Sequence, residues 1–214
     1  MADPVVSSPL TYLFDEPPAP AEIREVASGV HWIRMPLPFA LNHINLWLLD
    51  DGAGVTIVDS GLGDAGTREL WEQVFAAFLR GRPVNRVIVT HLHPDHAGNA
   101  GWLSTRFRCP MYMSQAEYLM AHAWRENAAG YTDEASLELF REHGLDEAKR
   151  EELRAARGGR YKTMVPEFPV RYFRMMDGDT VKIGGRSWSC IVGHGHAPEH
   201  IGLYCAEIGL FASS

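Results

Sequence analysis

Three histidines and an aspartate fall within six residues in Thr90-His91-Leu92-His93-Pro94-Asp95-His96. Imidazole nitrogen and carboxylate oxygen are ligands for zinc, and also for manganese or iron. The segment follows Arg86-Val87-Ile88-Val89-Thr90, a short apolar run that reads as a strand. A loop leaving a strand can turn residues i and i+2 to one side. His91 and His93 can then share one metal while Asp95 and His96 reach toward a second. A single histidine here would read as a strand cap; this spacing of four candidate ligands does not. A second histidine window, His194-Gly195-His196-Ala197-Pro198-Glu199-His200, lies about a hundred residues downstream.

The elements around these windows are legible from pattern. Val30–Met35, Ile44–Leu49 and Val55–Asp59 read as strands, the last one buried and ended by Gly61 and Gly63. Asp64 is placed to cap a helix over 65–80, where Leu70, Val74, Phe75, Phe78 and Leu79 recur at helical spacing. A short helix is expected from Ala97 to Phe107, then a strand at 110–113, then a helix from Gln115 capped by Ser114. Residues 115 to about 165 are charged and read as a helical insertion, broken near Gly144. Strands return at Val170–Arg174, Thr180–Ile183, Ser187–Val192, Ile201–Cys205 and Leu210–Ala212. The expected organisation is a proline-rich arm over 1–22, including Pro4 and Pro9, and one α+β domain over 23–214 with mixed sheets and outer helices.

Composition narrows the function. The net charge of −7 disfavours a nucleic-acid partner, whose footprint is usually a basic face. Arg141, Lys149, Arg150, Arg154, Arg157 and Arg160 could form a local one, but they alternate with glutamates and read as solvated helix charges. Three cysteines (Cys109, Cys190, Cys205) without paired spacing argue against a disulfide framework. The N-terminus lacks a basic start followed by an apolar core, and no run reaches the ~18 apolar residues of a membrane span. These signs point to a cytoplasmic protein with no membrane partner.

The H-x-H-x-D-H segment resembles the hallmark of the metallo-β-lactamase superfamily, and the resemblance runs from about Gly29 to the C-terminus. Val58-Asp59-Ser60-Gly61 is similar to the family's strand-ending aspartate, which implies that Asp59 supports the ligands from behind. Gly195-His196-Ala197-Pro198-Glu199-His200 resembles the family's G-H-T-P-G-H segment, which makes His196 the third histidine ligand and sets His194 and His200 aside. Glu199 stands where the family usually has glycine. The resemblance implies a four-layer αβ/βα sandwich with the metals between its sheets. It also implies two zinc ions in a complete site and hydrolysis by a metal-activated water, whose pKa falls from about 16 to about 7. Asp95 would hold the second metal and orient the attacking water.

Family members usually continue beyond the position of Ser214 to a bridging aspartate and a further histidine. Their absence from the sequence leads us to expect a truncated second half, with one metal held by His91, His93 and His196. Unpaired sheet edges would then favour association into a homo-oligomer. Among the family's chemistries the glyoxalase-II-like branch fits best: a small-molecule thioester or other acyl ester as substrate. The alternatives are a phosphodiesterase or ribonuclease-like nuclease and a non-hydrolytic, redox-type metal module. His93 argues against the redox module, because flavodiiron-type relatives usually carry glutamate there.

Overall fold

The structure, a computed structural model, describes residues 11–157 and 160–213. Strands β2 (Val30–Pro36) and β3 (His43–Asp51) pair antiparallel and alternate, with Ile33, Met35, Leu46 and Leu48 fully buried. That period of two fixes which face meets the core. Strand β1 (Ile23–Ala27) joins their outer edge, and β4 (Gly54–Val58) lies on the other side of β3, buried along its whole length. From β4 onward the pairing turns parallel through β5 (Val84–Ile88), β6 (Met111–Met113) and β7 (Phe173–Arg174), giving a seven-stranded sheet in chain order. Parallel neighbours need crossovers. These are supplied by α1 (Ala65–Val74, continuing as a π-helical turn over Phe75–Leu79), by α2 (Pro94–Ala97) with α3 (Ala100–Phe107), and by the helical insertion.

The second sheet is antiparallel, in the order β11-β10-β9-β8, from β8 (Thr180–Ile183), β9 (Arg186–Gly193), β10 (His200–Cys205) and β11 (Leu210–Ala212). Two apolar cores result. Helices pack on one face of the first sheet around Trp71, Val74 and Leu103. The other face meets the second sheet through Val30, Leu49, Val58, Ile88, Trp188, Ile201 and Leu203. The α+β class and the mixed-sheet sandwich are those read from the sequence. Among the described residues three layers are present, helices, sheet and sheet, and no helix covers the outer face of the second sheet. Ile191, Tyr204 and Phe211 are exposed there, with the Phe211 ring lying where a side chain on Gly202 would be.

The insertion consists of α4 (Gln115–Arg125), α5 (Asp133–Glu142), α6 (Glu147–Arg157) and α7 (Arg160–Met164). Gly144, at φ +96°, breaks the chain between α5 and α6 where the sequence indicated. The suspected basic face does not form among the described side chains. Arg141 pairs with Glu138, Lys149 with Glu152, Arg150 with Glu147, and Arg154 with Glu134 and Glu151. The side chains of Arg157 and Arg160 lie outside those described.

Three local readings change. The helix expected over Ala97–Phe107 begins at Ala100, and the separate turn α2 precedes it with proline at its first position, so Asp95 and His96 sit on a helical turn. Ser114 occupies the N-cap position of α4, yet its hydroxyl makes no capping bond. The strand expected over Val170–Arg174 shortens to Phe173–Arg174, and the Pro169 carbonyl just ahead of it accepts the Tyr118 hydroxyl (3.1 Å). Of the N-terminal arm, residues 1–10, with Pro4 and Pro9, lie outside the described residues. The rest runs beside β2, where the Ala21 amide donates to the Arg34 carbonyl (3.1 Å). No described helix is long and apolar enough to cross a membrane.

Candidate metal centre

The candidate residues gather at the carboxyl ends of β4 and β5, where open parallel sheets commonly build sites. Asp59 ends β4 in a left-handed conformation (φ 62°), which aspartate tolerates better than most residues. Its fully buried carboxylate reaches across to the end of β5. Oδ1 accepts the Thr90 amide (2.7 Å), while Oδ2 accepts the Thr90 hydroxyl (2.8 Å) and meets His96 Nδ1 (2.9 Å). With the hydroxyl proton committed to Asp59, Thr90 Oγ1 accepts from His91 Nδ1–H (2.9 Å). His91 Nε2 is thereby left with its lone pair.

That nitrogen lies 3.0 Å from His93 Nδ1, which lies 2.9 Å from His196 Nε2. Ligand atoms of His91, His93 and His196 all fall within 4.8 Å of one another. Burial, followed by the neighbouring imidazoles His96 and His93, holds His91 far below the ordinary histidine range. Burial and then His196 bring His93 down to about 4. Both rings are therefore neutral at pH 7 and available as acceptors. His93 Nδ1 can donate to only one of its two close neighbours, so converging lone pairs remain that a cation would satisfy. Zinc–nitrogen bonds of about 2.0–2.1 Å put tetrahedral neighbours about 3.3 Å apart, slightly more than these separations. The three residues fit a single divalent ion with small adjustments.

Asp95 and His96 stand beside this trio. His96 Nε2 is 3.3 Å from Asp95 Oδ2, and its ring centroid is 4.0 Å from that of His91. Burial opposes a charge on His96, but Asp59 and Asp95 on either side push its pKa up to about 9. Burial likewise opposes ionisation of Asp95, and the hydrogen bond from His96 with its charge holds it below the ordinary carboxylate value. Asp177 and Asp179 are turn residues, accepting the amides of Val192 (2.9 Å) and Met176 (2.7 Å). Of the two histidines set aside, His194 ties its own loop through Nδ1 to the Pro198 carbonyl (2.7 Å). His200 lies nearer, its ring centroid 4.8 Å from that of His91.

Several residues to which the sequence reading assigned no role also shape the site. Ser60 donates to the His96 carbonyl (2.7 Å) and accepts the Asn99 amide (3.0 Å). Gly63 and Gly98 let these segments touch, since a Cβ on Gly98 would come 2.3 Å from the Gly63 nitrogen. Glu117, fully buried on α4, accepts the amides of Leu92 (2.9 Å) and Glu199 (2.7 Å). Burial pushes its carboxyl up while those amides pull against the shift. The Tyr161 hydroxyl donates to the Leu92 carbonyl (2.7 Å). Glu199 explains the unused Ser114 cap: its own carboxylate accepts the Ala116 amide (3.0 Å) at the start of α4.

Two cavities open beside His93, on either side of Trp124. One, of about 560 Å³, lies against the insertion, with Trp124, Tyr131, Tyr161 and Met164 among its walls. The other, of about 400 Å³, is bounded by Leu92, Met120, Trp124 and the His194–Pro198 loop. The three cysteines are buried free thiols, and Cys205 faces the core between the sheets.

A mixed-sheet sandwich with a histidine cluster at its strand ends is a scaffold able to hold a metal ion, and comparison with known proteins assigns the family. The profile of the metallo-beta-lactamase superfamily matches residues 41–209, and the chain belongs to that superfamily. A beta-lactamase domain protein from Burkholderia ambifaria is 41% identical, with a TM-score of 0.78, over 93% of this chain and 56% of that one. A metallo-beta-lactamase family protein from Thermus thermophilus is 28% identical, with a TM-score of 0.71, over 88% of this chain and 60% of that one. The Bacillus subtilis (strain 168) protein "Probable metallo-hydrolase YqjP" is 36% identical over 67 residues, 31% of this chain and 21% of that protein. The chain thus spans little more than half the length of the solved relatives it matches.

Proposed function

We propose that this chain forms the metal-binding core of a hydrolase acting on thioesters or other acyl esters. Ligation falls to His91, His93 and His196, and zinc is a metal that three imidazole nitrogens suit. The observation that carries the reading is the convergence of these nitrogens, with His91 Nε2 kept open by the Asp59–Thr90–His91 chain of hydrogen bonds. A divalent ion so held would polarise an acyl carbonyl and activate water for attack on it.

The protein's own groups divide the remaining work. Asp95 stays ionised at neutral pH, so its carboxylate can orient the attacking water and take its proton. Asp59 keeps His91 and His96 in fixed orientations. The cavities beside Trp124 give room for the acyl and leaving groups, with apolar walls joined in the one against the insertion by the charged Arg125, Glu126, Asp133 and Lys162. Among the described side chains of α5 and α6 the charges are paired and leave no free basic face for a nucleic acid backbone, which weakens the phosphodiester alternative. Buried free thiols suit a reducing cytosol.

The test is metal analysis of the purified protein together with turnover on acyl thioesters, acyl esters and a bis-aryl phosphodiester. Bound zinc near one per chain, with turnover confined to the acyl substrates, is expected. Turnover of the phosphodiester alone would contradict the substrate class, and absence of any bound divalent ion after zinc dialysis would contradict the site.

A further inference from the structure

Two hydrogen bonds from the helical insertion converge on Leu92, which separates His91 from His93. The peptide joining His91 to Leu92 donates its N–H to Glu117 Oε2 (2.9 Å). The peptide joining Leu92 to His93 accepts the Tyr161 hydroxyl (2.7 Å). Both partners come from the insertion, Glu117 from α4 and Tyr161 from α7. The other oxygen of Glu117 accepts the Glu199 amide (2.7 Å), three residues beyond His196. Glu199 answers with its own carboxylate on the Ala116 amide, closing a reciprocal pair between the start of α4 and the second histidine loop.

We propose that Glu117 and Tyr161 are positioning residues, which lock the insertion onto the two peptides between His91 and His93 and tie that loop to the one carrying His196. The inference rests on reading these three histidines as metal ligands. It gives the insertion a task beyond covering the site: it helps set the separation of two loops that otherwise meet at the His93–His196 contact (2.9 Å) and, just beyond, where the Ile201 amide donates to the Thr90 carbonyl (2.9 Å).

The chemistry requires a carboxylate. Glu117 faces two N–H donors, and only a side chain with two acceptor oxygens serves both. Glutamine has the same shape but turns an NH2 toward one of the amides, leaving a buried donor without a partner. Tyr161 must act as a donor to a carbonyl. Burial, and after it the Glu117 carboxylate, keeps its hydroxyl protonated well above the ordinary phenol range.

The test uses Glu117→Gln and Tyr161→Phe in the full chain, with two readouts. In the metal-free protein, amide hydrogen exchange at Leu92 and Glu199 should quicken in Glu117→Gln, at one or both sites. In the cobalt(II)-loaded protein, the visible d–d bands should shift and the cobalt Kd should rise about tenfold for Glu117→Gln, as for other outer-shell partners. A smaller rise is expected for Tyr161→Phe. Wild-type exchange, bands and Kd in Glu117→Gln would overturn the proposal. Should Glu117→Gln fail to fold, unchanged bands and Kd in Tyr161→Phe would overturn it. A wild-type chain that binds no cobalt while Glu117→Gln still loses amide protection would instead locate the failure in the metal reading, and the proposal would fall with it.

Discussion

The two loops that bring the candidate ligands together are held in opposite ways. Residues 90–97 run from β5 into α2, and nearly every polar group there has a buried partner: Asp59 on Thr90 and His96, Ser60 on the His96 carbonyl, Glu117 and Tyr161 on Leu92. His91 and His96 are themselves buried. Residues 194–199 join β9 to β10, and His194, Gly195 and His196 are exposed. That loop is closed by the His194–Pro198 contact and anchored at its end by Glu199. One half of the centre is therefore built as the core folds, while the other is delivered to it by a surface turn. Such a division leaves one side open to substrate without loosening the rest.

The contrast can be broken first through stability. Asp59→Ala removes a fully buried acceptor of several hydrogen bonds and leaves their donors unpaired, so it should cost about 3 kcal/mol in urea unfolding of the metal-free protein. His194→Ala, on the exposed loop, should cost no more than about 0.5 kcal/mol. Comparable losses in the two variants would erase the distinction between the loops.

A smaller effect should come from a charge cluster remote from both. Burial opposes ionisation of Asp50, but hydrogen bonds from Arg82 (2.6 Å) and His31 (3.2 Å), with their charges, hold it below the ordinary value. A depressed folded-state pKa gives stability that is present above the unfolded value, about 3.9, and is lost as pH falls through the folded one. Asp50→Asn should therefore flatten the acid limb of the stability profile below about pH 4. Zinc affinity measured at pH 7 should stay unchanged, and a loss there would mean that this cluster also supports the centre.

Much of this arrangement could be read in the chain because periodicity and ligand spacing are local. Alternation marked β2 and β3, the apolar run before His91 marked β5, and H-x-H-x-D-H marked the buried loop. His196 followed from a second short motif, and the structure brings its ring beside His93. Glu117 and Tyr161 could not be found that way. Each bonds to backbone, and a backbone amide or carbonyl leaves no trace in the residue type of Leu92 or Glu199. Ser114 holds the expected N-cap position of α4 but not the capping bond, for a related reason: the acceptor arrives from Glu199, more than eighty residues away, which local capping rules do not see. Starting the short helix after His96 overlooked Pro94, a residue suited to the first turn.

The central claim is that His91 and His93 from the buried loop and His196 from the exposed one hold a single metal ion. Zinc titration of the wild-type chain beside His196→Ala, with bound metal counted after gel filtration, tests it most directly. About one tightly held zinc is expected in the wild type, and a loss of at least tenfold in affinity in the variant, with the fold intact by circular dichroism. Full zinc loading at unchanged affinity in His196→Ala would contradict it.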